Sequence, residues 1–179
     1  LLGLVGHAPP SRSHLARARD QMAHRGPDDA GLYMSDRACI GFRRLAILDL
    51  SRAGHQPMTA RDDQVALAFN GEIYNYRRLR DELSREVAFR SDTGSEVLLN
   101  GYLTWGWERL LERIEGMFAF VIWDARSQML FGARDRCGKK PFFYTHEKEQ
   151  LAFASTLHAL RALLPHAPSL DAVALDAYL

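Results

Sequence analysis

The residues able to do chemistry in this chain gather in a few short segments: MAHRGPDDAGLY, FRRLAILDLSRAGHQPM, FNGEIYNYRRLRDEL and ARDRCGKKPFFY. Arg43 and Arg44 stand side by side in a strand-forming run, where alternation sends neighbours to opposite faces. One of the two forked cations is then turned to solvent, and the pattern alone does not say which. Asn70-Gly71 lies between two apolar runs, the strongest short signal for a hairpin turn, yet it is embedded in FNGEIYN among polar residues suited to a pocket. The basic residues Arg134, Arg136, Lys139 and Lys140 are interrupted by Asp135, and Gly138 and Pro141 mark a turn, so they read as a solvated loop rather than a phosphate patch. His24 has no second histidine or cysteine at ligand spacing and reads as structural. The two cysteines, Cys39 and Cys137, form neither a CxxC knuckle nor a disulfide framework; they suit small, buried or half-buried positions in a reducing compartment.

The elements that must position these groups are legible from pattern. The chain has 179 residues, of which 47% are hydrophobic and 25% charged, the length and mixture of one globular domain. Lys and Arg number 23 against 22 Asp and Glu, a balance that disfavours nucleic acid as partner. No run approaches the ~18 apolar residues of a membrane span. The opening LLGLVG lacks the features of a secretion signal and reads as a buried strand. SRSHLARARDQMAHRG predicts a helix capped by Ser11 or Ser13, followed by strands in GLYM, ACIGFRRLAIL and DQVALAF. RRLRDELSR, SEVLLNGYLTWG and ERLLERIEG predict three more helices. MFAFVIWD with MLFGARD, and PFFYTH with LAFAS, predict two hairpins. Antiparallel sheets covered by helices make an α+β layering. Residues 1–164 read as the domain, and 165–179 as a linker leading into the start of a further, C-terminal domain.

The segments LLGLVG, MAHRGPDDAGLY, FRRLAILDLSRAGHQPM, FNGEIYNYRRLRDEL, GMFAFVIWD and ARDRCGKKPFFY, in that order, resemble the N-terminal class II glutaminase domain of the asparagine synthetase family. The resemblance implies a four-layer αββα sandwich of the N-terminal-nucleophile hydrolase type. It implies that a cysteine attacks the glutamine amide, its own α-amine serving as base. The oxyanion is then held by the Asn70 side chain and the Gly71 N–H. Arg44 is implied to fork onto the α-carboxylate, with Leu45 and Glu72 in the glutamine pocket.

Two positions depart from the family pattern. Leu2 stands directly before Gly3, where the cysteine belongs, and a leucine offers no lone pair to a carbonyl carbon. Anchoring on Phe89 and Glu96-Val97-Leu98 puts Gly94 where the family has the aspartate that binds the α-ammonium; Asp92 could substitute through a two-residue shift. Both changes point to a domain that no longer makes ammonia.

The expectation is therefore a pseudo-glutaminase domain of a cytoplasmic, bacterial, ATP-dependent amide ligase, with the amine supplied by the substrate itself. Lasso-peptide macrolactam cyclases and β-lactam synthetases are of this type. ATP and Mg²⁺ would belong to the synthetase domain, which would also be this domain's partner; a homodimer and a peptide substrate complete the implied partners. Two alternatives remain at this point: a glutamine-hydrolysing asparagine synthetase whose first residues were altered, and a non-catalytic scaffold.

Overall fold

The computed structural model describes residues 1–6, 9–46, 50–166 and 172–178. The N-terminal half opens with strand β1 (Leu2–Val5) and helix α1 (Arg12–Asp20). Ser11 caps α1, its Oγ accepting the His14 N–H at 3.3 Å. The helix stops five residues earlier than its pattern predicts, and a 3₁₀ turn over Ala23–Arg25 takes its place. That turn brings Arg25 to the Ser155 carbonyl, to which its guanidinium donates at 2.8 Å. Strands β2 (Asp29–Met34) and β3 (Ala38–Arg44) follow. The last residues of the predicted third strand, Ile47 and Leu48, lie outside the described residues.

A short strand β4 (Met58–Ala60) precedes the long β5 (Val65–Ile73). Helices α2 (Tyr76–Leu83), α3 (Gly94–Trp105) and α4 (Trp107–Arg113) come next. The two predicted hairpins form as β6 (Gly116–Asp124) with β7 (Met129–Arg134), and β8 (Phe143–Glu147) with β9 (Gln150–Ala154). Helix α5 (Leu157–Leu163), capped by Thr156, was not foreseen from pattern; helix α6 (Ala172–Tyr178) lies within the segment 165–179 and buries no residue.

All strand pairs are antiparallel and fall into two sheets, ordered β2-β3-β1-β9-β8 and β4-β5-β6-β7. Between the sheets pack Tyr33, Ile40, Phe42, Val121, Trp123 and Phe153. Outside the first sheet, Leu2, Leu4 and Ala154 meet Leu15 of α1 and Leu160 of α5. Outside the second, Leu67, Phe120 and Ile122 meet Leu79 of α2, Leu98 of α3 and Leu110 of α4. The result is the four-layer αββα sandwich that the resemblance implies. Each layer contact is large-to-small interdigitation of buried apolar side chains, the dominant favourable term in folding. No described helix is long and apolar enough to cross a membrane.

Candidate active site

A cavity of about 480 Å³ opens where the end of β3, the distal part of β5 and the first turn of α3 come together. Arg44, Leu45, Asn70, Gly71, Glu72 and Gly94 all line it. The chain thus brings together six of the residues singled out from sequence. The alternation argument for Arg43 and Arg44 does not separate them here, because β3 ends at Arg44 and the cavity wraps around that end; both border it.

Arg44 is only 9% exposed. Its guanidinium donates to the Ser51 carbonyl at 2.8 Å and lies across Gly54, where a Cβ would come 2.1 Å from its Nη2. Glycine at 54 is therefore what lets the cation reach its place. Opposite Arg44 in the ladder stands Asp29, whose carboxylate meets His55 Nδ1 at 2.6 Å. Burial alone would raise the Asp29 carboxyl. The His55 and Ala30 N–H contacts and the charges of His55 and Arg44 outweigh it and hold the group below its ordinary value.

The second wall is the outer edge of β5. Phe118 exchanges hydrogen bonds with Asp135 on the β7 side, so its partner Gly71 directs its own N–H and carbonyl away from β6. The same edge carries the main-chain groups of Phe69, and these are occupied by one side chain. Gln56, 6% exposed, accepts the Phe69 N–H at 2.6 Å and donates to the Phe69 carbonyl at 3.2 Å. Its amide also donates to Ser95 Oγ at 3.0 Å, tying β5 to the start of α3. Two residues on, the Gly71 N–H faces the cavity. Gly71 has φ +152°, and a Cβ there would meet the Met117 carbonyl oxygen at 2.1 Å. Asn70-Gly71 is thus strand backbone in mid-run, not a hairpin turn. Sequence reasoning missed Gln56: glutamine is mostly a surface residue, and its partner lies 13 positions away.

The third wall is the first turn of α3. Thr93 caps the helix, its Oγ1 accepting the Glu96 N–H, and the Glu96 carboxylate accepts from the Ser91 N–H and Oγ, each at 2.7 Å. This box fixes the loop before α3 and leaves Gly94 facing the cavity. Around a Cβ built at Gly94 the nearest atoms, of Ile73 and Phe69, lie 3.8 Å away. Asp92 does not reach the cavity: its side chain is 85% exposed and pairs with Arg80 at 3.1 Å. Leu45 is 57% exposed at the rim, beside the exposed Glu72.

The start of β1 borders a smaller cavity of about 40 Å³, shared with Arg25, Arg43, Asn70 and Ser155. Its β1-side lining is Leu1, whose nitrogen donates to Ser155 Oγ at 3.2 Å. Leu2 is 0% exposed and faces the other way, into the core under α1 and α5. Neither cysteine lines either cavity: Cys39 is buried, its thiol pushed up to about 11 by burial, and Cys137 is exposed in a turn. Asp135 organises that turn, its carboxylate accepting the Lys139 and Lys140 N–H groups at 2.9 and 3.0 Å, and Lys140 reaches the cavity wall. Among the described residues no cluster of His, Cys, Asp or Glu could hold a metal ion.

Comparison with known proteins places this geometry. Residues 1–179 match a family described as a glutamine amidotransferase domain. The chain is 40% identical over 149 residues to asparagine synthetase [glutamine-hydrolyzing] 3 of Bacillus subtilis, covering 82% of this chain and 24% of that protein. It is 42% identical over 163 residues to a putative asparagine synthetase of Mycobacterium bovis, covering 85% of this chain and 25% of the relative. It also resembles the amidase chry2 of Gibberella zeae, at 35% identity over 161 residues, covering 89% of this chain and 24% of that protein. The chain spans about a quarter of the length of these relatives. Among solved structures, the glutamine phosphoribosylpyrophosphate amidotransferase of B. subtilis superimposes with a TM-score of 0.75 at 19% identity, over 90% of this chain and 43% of that one. That likeness bears on the fold, an N-terminal-nucleophile hydrolase sandwich. The chain belongs to the glutamine amidotransferase domain family, with homologues among the asparagine synthetases.

Proposed function

We propose that this chain is a glutaminase-type domain that no longer hydrolyses glutamine and serves a longer, ATP-dependent, AMP-forming amide ligase. In that protein the amine nucleophile belongs to the substrate, as in peptide macrolactam (lasso) cyclases or β-lactam synthetases. ATP and Mg²⁺ act in the synthetase domain, which packs against residues 1–164 and is reached through the linker 165–179.

One observation carries this reading. Among the described residues the cavity presents neither a thiol to attack an amide nor, at its α3 wall, a carboxylate to receive an ammonium. No thiol lines it among the described residues, and the hydroxyls that do are already engaged: Thr93 Oγ1 caps α3, Ser95 Oγ accepts from Gln56 and the Tyr76 hydroxyl accepts from Arg77. At the α3 wall, Gly94 leaves room for a carboxylate and supplies none. A glutamine bound in the family's manner would put its ammonium there without a partner.

A second reading, a glutamine-hydrolysing asparagine synthetase with its cysteine altered, is favoured by the retained Arg44, Asn70 and Gly71 and by the names of the relatives. The full-length protein, with its natural N-terminal sequence, distinguishes the two when incubated with glutamine and assayed for ammonia. The proposal expects no release above a no-enzyme control; glutamine-dependent ammonia would establish the second reading instead.

A further inference from the structure

We infer that the small cavity beside Leu1 is a halide site, where one chloride ion is held between the two sheets. Its existence does not depend on whether the domain hydrolyses glutamine. Arg25 and Arg43 border the cavity, each guanidinium anchored by a main-chain carbonyl, of Ser155 and of Gly26, at 2.8 Å. Carbonyl oxygens fix a guanidinium without cancelling its charge. Arg43 also lies 3.6 Å from Asp20, whose carboxylate is half exposed and forks with Arg19. Half-buried Asn70 adds a carboxamide that has no hydrogen-bond partner among the described residues.

The side-chain acceptors of Ser155 and Met22 at the same walls are spent on each other's neighbours. Ser155 Oγ accepts from the Leu1 nitrogen at 3.2 Å, and Met22 Sδ accepts from Ser155 Oγ at 3.4 Å. A water molecule in such a place finds donors, but little to receive its own two hydrogens. A halide only accepts, and the two guanidinium groups and the Asn70 Nδ2 give it charge-assisted hydrogen bonds. The space, about 40 Å³, is near the ~30 Å³ share of one water in the liquid, which suits chloride and is too small for sulfate. Arg43 stands on β3 and Asn70 on β5, so an ion between them ties one sheet to the other. Arg25, Arg43 and Asn70 also border the larger cavity, through which an ion can enter.

Hydrogen exchange of the full-length protein, followed as sodium chloride replaces sodium gluconate at constant ionic strength, tests the inference. The Ser155 N–H, which donates to the Leu1 carbonyl at 2.9 Å, reports opening beside the cavity. Its exchange is expected to slow saturably, about tenfold at ten times the half-saturating chloride concentration. Bromide is expected to act as chloride does, and sulfate to leave the exchange as in gluconate. Asn70→Asp, of the same size, supplies a fixed negative charge in place of the ion and is expected to abolish the chloride response. Gln64→Glu adds the same charge on the exposed loop between β4 and β5 and is expected to keep the response. Should Asn70→Asp fail to fold, Arg25→Gln, at an exposed residue, is read in its place with the same expectation. Exchange indifferent to chloride, equal protection by sulfate, a response that survives Asn70→Asp, or one lost in Gln64→Glu would each overturn the site.

Discussion

The glycines that line the cavity are of two kinds, and they are there for different reasons. At Gly71 and Gly54 a Cβ would come within 2.1 Å of the Met117 carbonyl oxygen and of the Arg44 guanidinium, respectively. Those glycines are demanded by what already fills the space. At Gly94 the nearest atoms lie 3.8 Å from a Cβ, and nothing in the packing asks for glycine. The difference separates a wall built around its glycines from a wall with room for a side chain. A side chain at Gly94 would therefore leave the cavity's frame untouched.

Substitutions at the two walls should diverge, beginning with the largest effect. Gly71→Ala has both to adopt a positive φ and to displace β6; it is expected to lose about 3 kcal/mol, read from the urea midpoint at unchanged m. A loss under about 1 kcal/mol would remove the contrast. Gln56→Ala orphans the buried Phe69 N–H and carbonyl at once and is expected to cost about 2–4 kcal/mol, with hydrogen exchange at Phe69 accelerated to the rate of local opening. Gly94→Ala occupies the first position of α3 and should stabilise by about 0.4–1 kcal/mol, through a less flexible unfolded chain. Destabilisation there would mean that the open space is not real.

The smallest effect concerns pH at the Arg44 wall. The Asp29 carboxyl is depressed in the folded state, so its contribution to stability is full above the ordinary carboxylate value of 3.8 and is lost as pH falls below it. Both partners of the Asp29–His55 pair are partly exposed, which keeps the effect under about 1 kcal/mol. Chemical denaturation of Asp29→Asn and the unchanged protein should differ most at pH 6, with the gap narrowing as pH falls below 3.8 and through the lower folded-state value. A constant gap across that range would assign the difference to packing.

What the sequence made legible was local. Caps, hairpins and apolar periodicity placed most helices and strands, and the αββα layering followed from the motif resemblance. Two elements escaped. β4 is three residues long and exists only because β5 pairs with it, so no local signal announces it. α5 closes the layer over β1 and β9 with Leu160 and Leu163, and its seven residues were too short for periodicity to stand out. In the site, Arg44, Leu45, Asn70, Gly71, Glu72 and Gly94 do line one cavity, since motif spacing encodes the rim of a fold, whereas Leu2 and Asp92 do not. The roles that depend on distant partners were hidden. Gln56 serves Phe69 and Ser95, and β1 alternates so that Leu1, not Leu2, borders the small cavity. Asn70-Gly71 carries the local signature of a turn, and pairing with Ala119 and Phe118 overrides it.

The Gln56 clamp has a bearing on solubility as well as on the site. An exposed strand edge is a template on which another chain can pair, and proteins protect such edges with short strands or polar side chains. β4 covers β5 only from Val65 to Leu67, and beyond it the Gln56 amide occupies the donor and acceptor that Phe69 would offer an incoming strand. An amide side chain here stands in for a segment of backbone. It shields the edge from intruding chains while leaving the N–H of Gly71 facing the cavity, an opening too short to admit a strand.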